Sequence, residues 1–196
     1  MKLHLGCGSV YLDGYLNIDS PANPRAFLAC IRPDLVERWK TSEDAYYTKQ
    51  PPLVLNTTRN LEFVADVLQD MTCLDFPQDY ASKILVVQTF EHLSNTEVAR
   101  ALECWNRVLK PTGALQIHVP DIEESIKLFL DADTRRQREA VSRLIFGTRK
   151  GPLFYHHYGY TREGLVELLH DFGFGHAQFL PTIHSYPSFV VKVEKL

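Results

Sequence analysis

The chain has 196 residues, of which 45% are apolar and 23% charged, with a formal net charge of −3. That length predicts one domain, and that balance excludes bulk disorder. The slight acidity argues against a whole-protein electrostatic grip on nucleic acid, while leaving room for a local basic patch.

Short β-like runs occur at 2–6 and 15–19, and the eight residues between them leave space for a turn but little helix. Residues 20–61 are rich in Pro, Tyr and charge, with a helix expected around 34–46. The segment 61–71 fits a helix stripe or a strand equally well. A further β-like run at 84–89 leads into Ser94-Asn95-Thr96-Glu97, a capping box in which hydroxyl and carboxylate satisfy orphan N–H groups reciprocally. Val98, Ala101, Leu102, Trp105, Val108 and Leu109 then follow a helical stripe, which Pro111 and Gly113 end before another β-like run at 114–119. Strand, helix and strand in that order predict a βαβ unit, so the fold class is α/β. One or two helices and an aromatic loop are expected over 121–159, then a helix from Thr161 and two runs, 176–180 and 188–194, that can pair as an antiparallel hairpin. Both 20–61 and 121–159 are too poor in apolar residues for cores of their own, so a single domain with two elaborations is expected.

Cys7, Cys30, Cys73 and Cys104 include no C-x-x-C pair, so neither a zinc site nor a disulfide framework is signalled. No apolar run approaches the roughly 18 residues that cross a bilayer, and no signal-peptide pattern precedes the first strand. A cytosolic, reduced protein is expected.

The first strand runs into Leu5-Gly6-Cys7-Gly8, where two glycines let the backbone turn sharply and approach a ligand. A tight turn alone would use them equally well. The dinucleotide pattern is absent, because Tyr11 occupies its third glycine, and no P-loop motif occurs. Asp19 ends the second strand, where a carboxylate can accept both hydroxyls of a ribose or merely shape the turn before Pro21.

The runs LHLGCGSVYLDGYLNID, LQDMTCLDF, QTFEHLS, ARALECWNRVLKPTGALQIHVPD and YTREGLVELLHDFGF together resemble class I S-adenosylmethionine-dependent methyltransferases, and within them a compact group with a shortened first helix. The resemblance implies a seven-stranded, mostly parallel sheet with helices on both faces and a reversed final hairpin. It implies that the Gly6-Cys7-Gly8 turn binds the cofactor, with Gly6 and Gly8 packing against the methionine part of S-adenosylmethionine; read by itself, Cys7 is a small packing residue rather than a nucleophile. Asp19 would hold the ribose, Asp70 and Met71 would lie beside the adenine, and Gln88 would stand near the amino-acid end. His4, Val10 and Ser82 depart from the family pattern, standing where an acidic residue, a glycine and an aspartate are frequent.

Catalytic groups must then come from the acceptor side, and 154–160 (FYHHYGY) is the richest segment. His156 or His157 is the expected base, since an imidazole with an ordinary pKa of about 6.5 suits proton removal near neutrality. Gly147, Gly151 and Gly159 suggest hinges for a covering loop. A metal is not expected, because adjacent histidines lack the usual ligand spacing. Asp121 reads as a helix N-cap, and His92 as a brace for the turn after the fourth sheet strand. Arg135, Arg136, Arg138, Arg143, Arg149 and Lys150 read as a solvated helix face partnered by Asp131, Asp133 and Glu139. A small-molecule or saccharide acceptor is therefore expected, with RNA or protein methylation, or a non-catalytic cofactor-binding domain, as rivals.

Overall fold

In the computed structural model, which describes residues 1–43, 62–149, 151–182, 184 and 186–196, the leading apolar run folds as β1 (Lys2–Leu5). A turn and the two-residue β2 (Tyr11–Leu12) lead to β3 (Leu16–Asp19), so no helix separates the first two parallel strands. The first elaboration contributes β4 (Ala26–Leu28), α1 (Pro33–Trp39) and β5 (Lys40–Thr41). The helix expected over 34–46 stops at Trp39, because Lys40 turns extended and enters β5; residues 44–61 lie outside the described residues. The ambiguous segment resolves as strand, with β6 (Phe63–Ala65) and β7 (Val67–Leu68). Then follow β8 (Ala81–Val87), α2 (Asn95–Val108) and β9 (Leu109–Pro120). The helical pair α3 (Ile122–Leu130) and α4 (Arg135–Phe146) fills most of the second elaboration. The chain ends in α5 (Arg162–Asp171), β10 (Phe174–Leu180) and β11 (Ser188–Lys195).

Seven strands pair in the order β10-β11-β9-β8-β1-β3-β7. The pairs from β9 to β7 are parallel, whereas β11 runs antiparallel to both β9 and β10. The carboxyl ends of β1, β3, β7 and β8 therefore open on one edge, which is where an open α/β sheet places its ligand crevice.

The capping box forms as expected, with Glu97 Oε2 accepting from the Ser94 amide at 2.8 Å and its hydroxyl at 2.6 Å. Val98, Ala101, Leu102, Trp105 and Val108 are buried along α2, and full burial of such a side chain stabilises by about 1.5–3 kcal/mol. Pro111 and Gly113 follow the helix end, but β9 begins at once with Leu109. The irregular register between Ala81↔Leu109 and Lys83↔Ala114 absorbs the extra residues, with Thr112 at φ +60°.

The two sheet faces differ in chemistry. Leu3, Leu5, Ile18, Ile84, Val86, Leu115 and Ile117 join α2 and α5 in the main core. The alternating residues point the other way, and they include the buried His4, Asn17, Gln116 and His118. Asn17 organises much of that face. Its Oδ1 accepts from the Leu12 amide (2.8 Å) and His4 Nδ1 (3.1 Å), and its Nδ2 donates to the carbonyls of Leu12 and Tyr15.

Burial pushes the His4 imidazole down to about 4, against the opposing pull of its bond to Asn17. A depressed histidine contributes stability that is complete above the unfolded pKa near 6.5 and is lost as pH falls toward 4, because the unfolded chain then binds the extra proton. The loss from His4 alone amounts to about 3 kcal/mol. His4→Gln should keep the bond to Asn17 and remove that part of the acid limb. Urea unfolding of both proteins at pH 7 and pH 4 checks this, and equal losses in the two would contradict it.

Candidate functional site

A crevice of about 580 Å³ lies at the carboxyl edge of the sheet. Its floor comes from the turns after β1, β3, β7 and β8, and its opposite wall from Pro152, Leu153, Phe154 and His157. Five residues carry most of the expected cofactor contacts, and Gly6, Gly8, Asp19, Asp70 and Gln88 all border it, as does Met71. Cys7, expected to bind the cofactor with its neighbouring glycines, does not border the crevice: it is 3% exposed and turns inward, its thiol donating to the Val64 carbonyl at 3.4 Å. Burial and the neighbouring Asp19 push that thiol well up, so Cys7 is a neutral packing residue.

The glycine turn is held from the second parallel strand. Asp19 Oδ2 accepts from the Gly8 amide at 2.8 Å, and its Oδ1 accepts from the Ser20 amide at 2.8 Å and Asn23 Nδ2 at 3.3 Å. Asp19 thus fixes the turn as well as standing at the crevice. Gly6 and Gly8 adopt φ +64° and +55°, in the left-handed region that favours glycine. A Cβ on Gly6 would run into the Thr89 side chain, whereas one on Gly8 would meet nothing within 4 Å. Gly8 is therefore the glycine at which the backbone is bare toward the crevice.

Beyond β7, Asp70 Oδ1 accepts from the Thr72 amide at 2.8 Å, closing a local turn. The Trp105 indole N–H donates to the Met71 carbonyl at 2.8 Å, so α2 sets the position of this rim. Gln88 ends β8 at φ +50°, an uncommon conformation for a side-chain-bearing residue, held by its amide bond to the His118 carbonyl. Gln69 Oε1, Thr72 Oγ1 and Gln88 Nε2 are buried without a hydrogen-bond partner among the described residues, and all three residues border the crevice. Unpaired buried polar atoms are costly, and their gathering on one crevice marks where a ligand with polar edges completes the structure.

A family model described as "Methyltransferase domain" matches residues 3–117, more than half of the chain. The chain belongs to that family. Its cofactor is S-adenosylmethionine. Among solved structures, the PH0226 protein from Pyrococcus horikoshii OT3 matches with 15% identity and a TM-score of 0.55, covering 100% of this chain and 82% of that one. The Burkholderia thailandensis 1,6-didemethyltoxoflavin-N1-methyltransferase, with bound 1,6-didemethyltoxoflavin and S-adenosylhomocysteine, matches with 17% identity and a TM-score of 0.53 over 99% of this chain and 70% of that one. The CurJ carbon methyltransferase matches with 14% identity and a TM-score of 0.53; 98% of this chain covers 47% of that structure. No curated protein gives a significant sequence match. The crevice of this methyltransferase fits the cofactor chemically, since its unpaired atoms offer both acceptors (Gln69, Thr72) and a donor (Gln88).

The two candidate histidines part company. His157 is exposed and borders the crevice, with its amide donating to the Glu91 carbonyl at 2.8 Å. His156 points behind that wall: its Nδ1 lies 3.0 Å from the Leu144 carbonyl and its Nε2 3.9 Å from Glu91 Oε1. Burial and the nearby His92 push His156 down to about 4, while burial pushes Glu91 up to about 8. At neutral pH the pair is therefore no ion pair. His92 also borders the crevice, and its Nδ1 lies 2.8 Å from the Tyr155 carbonyl, so it does brace the wall. Asp121 caps α3, accepting from the Glu124 amide at 3.2 Å. Gly147 and Gly159 act as close-packing points, since a Cβ would strike the Phe154 carbonyl or the Ile122 side chain respectively.

Sequence reasoning did not single out Gln69, Thr72 or Glu91 as unpaired groups. Glu91 carried a signal only as part of the QTFEHLS run that resembles the family.

Two substitutions separate cofactor contact from turn formation. Gly8→Val should abolish S-adenosylmethionine binding while the protein stays folded, because its side chain enters open space at a strained φ. Asp19→Ala should weaken binding at least about tenfold, the equivalent of one charge-assisted hydrogen bond, and should also lower the melting temperature by freeing the Gly8 amide. Calorimetric titration and thermal unfolding read both, and normal binding by Gly8→Val would make the glycine turn purely structural.

Proposed function

We propose that the chain, acting as one domain over 1–196 with elaborations near 20–61 and 121–159, methylates an oxygen or nitrogen of a small-molecule or saccharide acceptor. The character of the crevice wall carries this reading. Pro152, Leu153 and Phe154 make it apolar, and among the described residues no Lys or Arg lines it. Single-stranded or duplex nucleic acid would call for cationic side chains along the groove. The basic face expected over 135–150 belongs largely to α4, where Arg135 Nε pairs with Glu139 at 2.7 Å on an exposed surface away from the crevice lining. A volume of about 580 Å³ also suits a cofactor plus part of a compact acceptor.

When bound, S-adenosylmethionine supplies an activated methyl group. The residues of this chain then have three tasks. Gly6, Gly8, Asp19, Asp70, Met71 and Gln88 hold and orient the cofactor from the sheet edge. Pro152, Leu153 and Phe154 exclude water from the acceptor side. His157 stands on that wall with its side chain available to take the acceptor's proton, whereas His156 is turned toward Glu91 and is set aside as a base. Orientation of nucleophile and methyl group in such a site can supply about 7–11 kcal/mol of rate enhancement.

Incubation with S-adenosylmethionine and separate pools of saccharides, small phenols and amines, RNA and protein tests the acceptor class by release of S-adenosylhomocysteine. Turnover only with RNA or protein would overturn it. With an acceptor found, His157→Ala should lower turnover about 100-fold with cofactor affinity nearly unchanged, while full activity in that variant would place the base elsewhere.

A further inference from the structure

We propose that Glu91, His92 and His156 form a binding site for a divalent transition-metal cation of the zinc type, at the edge of the crevice. The three side chains come from two distant segments, the 3₁₀ turn Phe90–His92 and the loop after Pro152–Phe154. They bring one potential ligand atom each to within 4.8 Å of one another.

Three features distinguish this cluster from a chance meeting of polar groups. Glu91 is only 1% exposed, yet neither of its carboxylate oxygens has a hydrogen-bond partner among the described residues. A buried carboxylate in that state needs a proton or a cation to offset its desolvation. Both histidines direct Nδ1 at a main-chain carbonyl, His92 at Tyr155 (2.8 Å) and His156 at Leu144 (3.0 Å). A carbonyl only accepts, so each Nδ1 carries the proton and each Nε2 keeps its lone pair. That is the outer-shell arrangement that orients metal-ligating imidazoles. The supporting loop is itself fixed, by the His156 amide on the Phe146 carbonyl and the His157 amide on the Glu91 carbonyl.

Two imidazoles and one carboxylate favour zinc or a neighbouring first-row cation over magnesium or calcium, which prefer all-oxygen sites. Three protein ligands leave a position for water, as in catalytic rather than structural zinc sites. Ligand atoms around tetrahedral zinc stand about 3.3 Å apart, so the cluster, with Glu91 and His156 3.9 Å apart and all three atoms within 4.8 Å, must close by up to about 1.5 Å through side-chain torsions. Because His92 borders the crevice, the open position could pass from water to an acceptor oxygen. That second role rests on the methyl-transfer reading; cation binding does not.

Chelator-treated protein titrated with Zn²⁺ by calorimetry, and with Co²⁺ by its visible ligand-field bands, tests the site directly. One cation per chain is expected, with Zn²⁺ raising the melting temperature of the wild-type protein. Glu91→Gln and His156→Ala should each lower Zn²⁺ affinity at least 100-fold, more than the 10–100-fold typical of outer-shell changes. His170→Ala, an exposed histidine at the end of α5, should leave affinity unchanged. Absence of saturable binding to the wild-type chain overturns the proposal without reference to any variant, and so does wild-type affinity in folded Glu91→Gln. Saturable Zn²⁺ binding by a chain that fails to bind S-adenosylmethionine would uphold the metal site and defeat the methyl-transfer reading alone.

Discussion

The parallel pairing of β1 with β3 across only ten intervening residues is the constraint on which the site depends. Parallel neighbours ordinarily need a crossover of a dozen residues or more, usually with a helix that satisfies its own backbone. Here the connection has no such helix, and side chains of β3 and the β6–β7 link take over the work. Asn17 bonds the Leu12 amide and carbonyl, and Asp66 Oδ2 accepts from the Asn17 amide and side chain at 2.8 and 3.2 Å. Two residues further along the same strand, Asp19 holds the Gly8 amide. The polar face of β3 and its crevice end are thus parts of one solution to a short connection. Asn17 and Asp19 are separated by one residue, so period-two geometry points them to the same side of the sheet.

Satisfied and unsatisfied polar groups are therefore distributed unevenly. Around the short connection every side chain of the Asn17–Asp66 pair is used, and this is where the sheet needs order. At the crevice, Gln69, Thr72 and Gln88 each keep a buried atom unpaired, and Gln88 does so in a strained backbone conformation. Such costs persist only where neighbouring structure holds the residues in place. That holding comes from α2 through the Trp105–Met71 bond on one rim, and from β9 through the Gln88–His118 bond on the other. The core built by α2 accordingly underwrites a rim on which buried polar atoms stay unpaired.

Much of this plan was legible in residue patterns, and the limits have physical causes. The Ser94–Glu97 box and the stripe behind it defined α2, and the two final runs paired as the expected hairpin. The span from Gly6 to Asp19 correctly implied a turn in place of a first helix. The segment 61–71 stayed ambiguous because its apolar runs are too short for periodicity to choose; its described part, 62–71, forms two brief edge strands. Lys110–Gly113 read as a terminator because Pro and Gly end helices, yet β9 passes through them by spending residues in an irregular register. Glu91 and His156 are 65 positions apart, so no local spacing could unite them. Adjacent histidines were a poor metal signal for a sound reason: neighbouring residues on an extended segment face opposite ways.

That same alternation accounts for the double character of the loop following Phe154. Extended backbone at Tyr155 sends His156 inward to Glu91 and His92, and sends His157 outward to the crevice. The Tyr155 carbonyl meanwhile orients His92, and the His157 amide anchors on the Glu91 carbonyl. Three successive residues therefore tie the loop to the turn after β8 through main-chain bonds at two points and a side-chain cluster at a third. Gly147 is a packing point of this wall, since its approach to the Phe154 carbonyl leaves no space even for a Cβ. The position of this wall is thus set by the turn at the carboxyl end of β8.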